Sequence, residues 1–504
     1  MTNPPAKQQE SEFDPELKRL ALVVLLGAVM TILDTTIVNV AVKTLGTEFH
    51  SSLSTIQWVL TAYTLALSMS IPITGWAVAR FGAKRMWMLS LVLFIIGSLL
   101  CGAAWNVTSL IVFRVLQGFG AGMIMPIGQT MLAQKAGPQR MGRVMAVIAV
   151  PAMLAPVLGP ALGGLLIDNL NWRWMFFINL PLCAIALFAA FRMLPRDTVR
   201  GKADAPLDVL GLLLVSPGLG ALVYGIAEAG EGKSLGSAAV LGWSGAGLVL
   251  LALFAVHALR LKDRALVDLR LFADRTFSAA NAGFFTYVGA LFGMMVLLPL
   301  YFQVVHGFTP LRSGLTTAPM GLGAMLTMPI AGKLSDRIGP RRLAYTGLPV
   351  MLLGILGYTQ INPDTPIWVL MAMLFVLGLG HGTMMPSMMG GMYRTLDRSQ
   401  VPSATVASNV VMRVGSSIGV AALAVILQNA IKDEIPGATG NLAQVPEGAP
   451  GDIAEKLTNA FTTSFWWAFG IAAFSAVAIF FMKTKPQAGE APADAVKVPV
   501  VDAH

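Results

Sequence analysis

Charge is scarce in this chain. Only 12% of its 504 residues are Asp, Glu, Lys or Arg, against roughly 25% in a soluble domain. So little charge cannot cover a water-facing surface, and a soluble fold is excluded. Cysteine is nearly absent: Cys101 and Cys183 both fall inside apolar runs. They read as small core hydrophobes, with no disulfide framework. Catalytic motifs are missing too. The chain has no P-loop lysine motif, no His-Glu-x-x-His, no Gly-x-Ser-x-Gly and no Cys/His set at metal spacing, so neither an ATP-driven pump nor an enzyme is expected, and no cofactor or metal. Nothing resembles a repeated selectivity filter, which argues against a channel. What the chain does have is apolar length. It is 55% hydrophobic with mean hydropathy +0.70, in runs such as Leu20 to Leu33, Met86 to Ala104 and Gly470 to Met482. These runs do not alternate, so a membrane β-barrel is excluded. Spanning a bilayer as a helix takes about 20 mostly apolar residues.

The fold class is therefore an all-α polytopic membrane protein. Fourteen spanning helices are expected, at about 20–42, 57–78, 86–105, 109–132, 142–167, 173–193, 208–227, 238–260, 277–304, 314–335, 342–360, 366–390, 402–427 and 462–482. The apolar run after Lys18 and Arg19 is read as an uncleaved first helix, since many spans follow it. The divisions fall at about 1–19 (N-terminus), 20–193 (first six-helix bundle), 194–276 (two inserted helices with their loops), 277–482 (second six-helix bundle) and 483–504 (a disordered tail). A Gly/Pro-rich external loop is expected over about 428–461.

With both termini placed in the cytoplasm, most of the 35 Lys and Arg residues fall on inner segments. Lys43, Arg173, Lys233, Arg312, Lys432 and Lys456 fall outside, and Arg114 and Arg413 fall within helices. This is a strong positive-inside bias. It places the chain in a bacterial-type inner membrane, multi-pass. It also explains the net charge of +9 as a topology device facing anionic lipid; no nucleic-acid partner is expected.

The two halves repeat. Gly118-Phe-Gly-Ala-Gly-Met-Ile-Met-Pro126 recurs as Gly378-Leu-Gly-His-Gly-Thr-Met-Met-Pro386. Gly75-x-x-x-x-Arg80-Phe-Gly82-x-Lys84-Arg85 recurs as Gly332-x-x-x-x-Arg337-Ile-Gly339-x-Arg341-Arg342. Parallel halves with a site between them at mid-membrane are a recurrent transporter plan.

Within the expected helices two buried charges stand out. Asp34 lies in Leu33-Asp-Thr-Thr-Ile-Val-Asn-Val-Ala-Val42. An acid there costs roughly 2.5–3.5 kcal/mol on insertion scales and is a functional hypothesis by default. Desolvation disfavours its charged form, which suits a group that takes and loses a proton each cycle. Arg114 lies in Leu110-x-x-x-Arg114-x-x-Gln117-Gly118-x-Gly120; it needs a partner or water, and Asp34 is the natural candidate. The structural alternatives are an Asp34 that hydrogen-bonds a neighbouring helix and an Arg114 bonded to backbone carbonyls.

The third motif is Ala155-Pro156-Val-Leu-Gly159-Pro160-Ala-Leu-Gly163-Gly164, and smaller pieces are Gln57-Trp58 to Tyr63, Trp172-Arg-Trp174 with Ile178-Asn-Leu-Pro181, Leu207-Asp208 and Leu269-Arg-Leu-Phe272. In this order, from about Leu17 to Met482, they resemble the fourteen-helix drug:proton antiporter branch of the major facilitator superfamily. That resemblance implies two six-helix bundles plus two inserted helices. It also implies proton-coupled export of small, largely hydrophobic or cationic drugs by alternating access. The proton gradient is the energy source, and proton coupling falls on Asp34 and Arg114. The Pro/Gly motif marks antiport, with Ala155 where the family often has Gly. A dedicated exporter of one endogenous metabolite, antibiotic or lipid stays open. The loop motif (Gly75, Arg80, Gly82, Lys84, Arg85; Gly332, Asp336, Arg337, Gly339, Arg341) pins helix ends in the family. Ala79 stands where the family has Asp, so the first copy lacks the acid that the second keeps.

Methionine is abundant, 28 residues. It suits a pocket for varied apolar shapes, and equally plain packing. Candidate pocket residues are Asn39, Gln57, Trp58, Tyr63, Gln129, Phe284, Tyr287, Phe292, Met384 and Met385. His381 reads as a hydrogen-bonded structural residue before a proton carrier. Expected partners are a small-molecule substrate, protons and the lipid bilayer, with the protein a monomer.

Overall fold

Away from water every backbone N–H and C=O must find a partner within the protein, so an apolar chain forms helices. The computed structural model describes residues 15–136, 155–195, 197, 206–230, 237–397, 400–435 and 451–482, and the regular structure among them is helical throughout. The first half comprises α1 (Pro15–Val40), α2 (Val42–Glu48), α3 (Leu53–Ser70), α4 (Ile73–Phe81), α5 (Ala83–Gly102), α6 (Val107–Ala136), α7 (Ala155–Asn169), α8 (Trp174–Phe177) and α9 (Asn179–Met193). A hairpin of α10 (Val209–Gly230) and α11 (Ala238–Leu261) follows. The second half comprises α12 (Arg275–Val304), α13 (Pro310–Ile338), α14 (Pro340–Tyr358), α15 (Ile367–Tyr393), α16 (Val401–Glu434) and α17 (Gly451–Phe481).

Among the described residues ten helices are long and apolar enough to cross a membrane, or eleven if one bent pair counts as a span. The expectation of fourteen is thus met only in part. The bent pair is α3 with α4, which break by 55° around Ile71–Pro72, where proline lacks the N–H that would continue the helix. Part of the expected fifth span lies outside the described residues; α7 is its described end. Helices also stand where the tenth and eleventh spans were expected, but Thr, Gly and Pro dilute the apolar content of α13, and Arg341 and Arg342 open α14. The expected loop over 428–461 is shorter than its bounds. Helix α16 continues to Glu434 and α17 begins at Gly451, because the first Pro and Gly after α16's apolar body come only at 436 and 437. The N-terminus to residue 14, the tail from 483, and the basic residues Lys7, Arg140, Arg143, Arg196, Arg200, Lys202, Arg398, Lys483, Lys485 and Lys497 lie outside the described residues.

The repeated glycines set the packing of both halves. A Cβ on Gly118 would stand 2.5 Å from the Tyr63 carbonyl oxygen of α3, and one on Gly378 would stand 2.0 Å from that of Met320 in α13. One turn on, Gly122 and Gly382 meet the Leu67 and Ala324 carbonyls in the same way. The repeat is therefore a device for close helix contact, used twice with the same partners in each half. Large apolar side chains such as Phe188, Leu213, Leu253, Leu353 and Phe474 point outward and are exposed, as lipid-facing residues are.

The inserted hairpin touches both halves, since α10 packs on α3 and on α16. Ser216 donates to the Met69 carbonyl at 2.7 Å, and Trp58, Tyr224 and Trp243 form a ring chain at 5.3 and 5.4 Å. Asp208 ties its base together. It accepts from the Gly211 and Leu266 amides and bonds His257 at 2.8 Å. In the linker before α12, burial pushes the Asp268 carboxyl up, but hydrogen bonds from Arg270 outweigh that and hold it below the usual range.

Candidate functional site

Five helices of the first half converge on one carboxylate. Helix α1 supplies Asp34, and α6 supplies Arg114 with Gln117 three residues on, on the same face. Helix α5 supplies Ser98, α9 opens with Asn179, and α3 supplies Tyr63 and the Val59 carbonyl. Arg114 Nη1 donates to Asp34 Oδ2 at 2.7 Å and to Gln117 Oε1 at 2.8 Å, while its Nε donates to the Val59 carbonyl at 3.2 Å. Gln117 Nε2 donates to Asp34 Oδ1 and to Ser98 Oγ, both at 2.8 Å. Asn179 Nδ2 donates to Asp34 Oδ1 at 2.8 Å. The guanidinium lies over the Tyr63 ring at 3.9 Å. Asp34 and Arg114 side chains are 0% exposed.

Such a pair is costly to desolvate and strongly destabilising to break on one side only, because the remaining charge is left buried alone. Three atoms of the cluster stay unpartnered: Arg114 Nη2, Asn179 Oδ1 and the Tyr63 hydroxyl. Asn179 turns its Nδ2 to the carboxylate, so the donors from Arg114, Gln117 and Asn179 together cover both oxygens of Asp34.

Sequence reading singled out Asp34 and Arg114 and quoted Gln117 and Asn179 only as motif letters. The signal available for Gln117 was its spacing from Arg114 on one face. Nothing in the sequence placed Ser98 or Asn179 beside Asp34. The antiporter motif borders the same site: a Cβ on Gly159 would stand 2.1 Å from Thr36 Oγ1, two residues past Asp34, while one on Gly164 would meet nothing within 4 Å. Gly163 is buried; the side chains of Pro156 and Pro160 are outside the described set.

The candidate pocket residues do not form a single group. Tyr63 joins the Arg114 cluster. Gln129 accepts from Asn409 Nδ2 at 2.7 Å across the interface between halves. Phe284, Tyr287 and His381 gather in the second half, where the Tyr287 hydroxyl bonds His381 Nδ1 and the two rings stack at 5.8 Å. Met384 is buried, Met385 partly so, Phe292 is 40% exposed, and Trp58 faces the inserted hairpin. Gln57 is partly buried, and the Asn39 side chain is not among those described.

At the loop motif, Gly82 and Gly339 both adopt positive φ, 92° and 90°, which only glycine takes without strain. Lys84 Nζ donates to the Phe191 and Leu194 carbonyls at 2.9 and 2.7 Å. The first copy has an acidic contact that sequence reading missed. Asp197, past the end of α9, accepts from the Lys84 and Arg85 amides at 2.9 and 3.2 Å and caps α5. Gly75 lies against Val406 and the Pro402 carbonyl of α16, and Gly332 is buried. Arg80 and Arg337 end α4 and α13, Arg341 opens α14 near the Tyr345 and Phe480 rings, and the Asp336 side chain is not described.

Residues 24–420 match the family pattern described as Major Facilitator Superfamily. The Multidrug resistance protein B homolog of Mycobacterium tuberculosis (strain ATCC 25618 / H37Rv) is 39% identical over 441 residues, 87% of this chain and 81% of that protein. The Putative multidrug resistance protein MdtD of Escherichia coli O7:K1 is 31% identical over 411 residues, covering 80% and 85%. Among solved structures, the proton:xylose symporter XylE superposes with TM-score 0.60 at 14% identity, covering 92% of this chain and 95% of that one. The human organic anion transporter MFSD10 superposes with TM-score 0.61 at 16% identity, covering 91% and 100%. At such identities the structures share the fold and no more.

Proposed function

The chain belongs to the major facilitator superfamily, a transporter and not an enzyme, and from that premise we propose that it exports small, largely apolar drug-like molecules in exchange for protons. The single observation that carries this reading is the sealed pair Asp34–Arg114 with its donors Gln117 and Asn179. The names of the relatives point to drugs as cargo. The chain works in an inner membrane with both termini in the cytoplasm, and its fourteen helix positions are all spans. A proton arriving from outside neutralises Asp34 and frees Arg114 from its counter-ion. This loosens α1 against α6 and α9, releases substrate outward and favours the inward-facing state. Loss of the proton to the cytoplasm restores the pair. The Gly159 contact keeps α7 close enough to α1 to feel the change.

Inverted vesicles test this. They are energised to a steady acid-inside gradient, and candidate compounds are added one at a time. The parent protein is expected to give substrate-triggered alkalinisation, and Asp34→Asn to match empty vesicles. An Asp34→Asn response equal to the parent would place the proton site elsewhere.

A further inference from the structure

Among the described residues, the coupling network leaves the intramembrane Arg413 unused. Arg413 lies midway along α16, on the stripe formed by Pro402, Val406 and Asn409, which are spaced to share one helix face. That stripe meets the first half: Pro402 and Val406 lie against Gly75, and Asn409 bonds Gln129. Arg413 is the next residue on it, one turn beyond the Asn409–Gln129 contact. It is partly buried, its Nε is buried with no hydrogen-bond partner, and no carboxylate pairs with it among the described residues. Half-buried Val410, Met412 and Val414 flank it. Asp34, by contrast, is closed off completely by Arg114, Gln117 and Asn179 and offers nothing to a cationic substrate.

We propose that the substrate site between the halves takes amphiphilic anions, apolar bodies bearing a carboxylate or sulfonate, and that Arg413 holds the anionic group. This rests on the export reading of the same interface and replaces the cationic cargo expected from sequence. The physical reason is charge balance. An intramembrane guanidinium without a counter-ion is costly and marks a ligand pathway, and its planar fork fits a carboxylate or sulfonate in a bidentate manner. The apolar flank supplies contact for the rest of the molecule.

Equilibrium binding to the purified full chain, with no gradient, tests this independently of proton coupling. The probes are pyrenebutyrate, its methyl ester and pyrenebutyl-trimethylammonium. The parent is expected to bind the carboxylate about tenfold or more tighter than the cation. Arg413→Gln should lose that preference while keeping its affinity for the ester; Arg413→Lys should keep part of it. Equal loss for all three probes in Arg413→Gln would make Arg413 structural and overturn the proposal. So would a parent that prefers the cation, a result that needs no variant to fold. If the anion preference holds but Asp34→Asn still couples in vesicles, the proposal stands and the proton assignment falls.

Discussion

At the scale of single residues, the chemistry is concentrated on one carboxylate with more donors than a structural salt bridge needs. Asp34 accepts from Arg114, Gln117 and Asn179 at 2.7 to 2.8 Å. Hydrogen bonds to a buried charge are worth about 1.5–3 kcal/mol each. Asn179→Leu removes one of the donors to Asp34 Oδ1. It is expected to lower energised transport about tenfold or more, while downhill efflux of the same compound changes little, as measured in vesicles with and without a gradient. Both rates falling together would mark Asn179 as a fold residue. Asp34 and Arg114 were visible in the sequence because a charge in an apolar run has no other excuse. Asn179 was not, because a short polar residue near a helix start has several ordinary roles, and only the convergence of α1 and α9 selects one.

At the scale of helices, glycine decides which contacts are possible. The motif Ala155 to Gly164 stands out in the sequence as one Pro/Gly unit, but its glycines are not equivalent. Gly159 faces Thr36 with no room for a Cβ, and Gly164 faces open space. Gly159→Leu is therefore expected to push α7 off α1 beside the carboxylate and to abolish transport, whereas Gly164→Ala should transport at the parent rate. Vesicle assays at matched protein amounts check this split. Equal loss in both would mean that the motif acts through helix bending alone. The loop motif teaches a related lesson. Ala79 looked like a missing latch, yet Asp197, far away in sequence, supplies a carboxylate to the same turn. Local pattern registers an absence, and only the folded chain shows which contacts are present.

At the scale of the whole molecule, the halves meet where α16 packs on α4 and α6 and where α13 packs on α7. Alternating access then requires the Asn409–Gln129 bond to break in every cycle. The double variant Gln129→Cys with Asn409→Cys should cross-link under mild oxidation and lose transport, and reductant should restore it; the single variants should be indifferent to oxidant. Cross-linking without loss of transport would show that this contact never opens. Energetics bear on the cargo. One proton entering down about 100 mV and about one pH unit supplies roughly 2.3 and 1.4 kcal/mol respectively. A monovalent anion leaving in exchange moves a second charge in the favourable direction, whereas a monovalent cation cancels the voltage contribution.

The sequence by itself determined the solvent, the helical class, the repeat and the two charges inside the first half, because each follows from composition or from spacing along one chain. Only the tertiary structure decided that Asp34 and Arg114 touch, that Gln117 and Asn179 complete their shell, that Asp197 caps α5 and that Arg413 has no counter-ion among the described residues. Those facts depend on distances between helices far apart in the chain. Such distances are fixed by glycine contacts and interhelical packing, which local pattern does not encode.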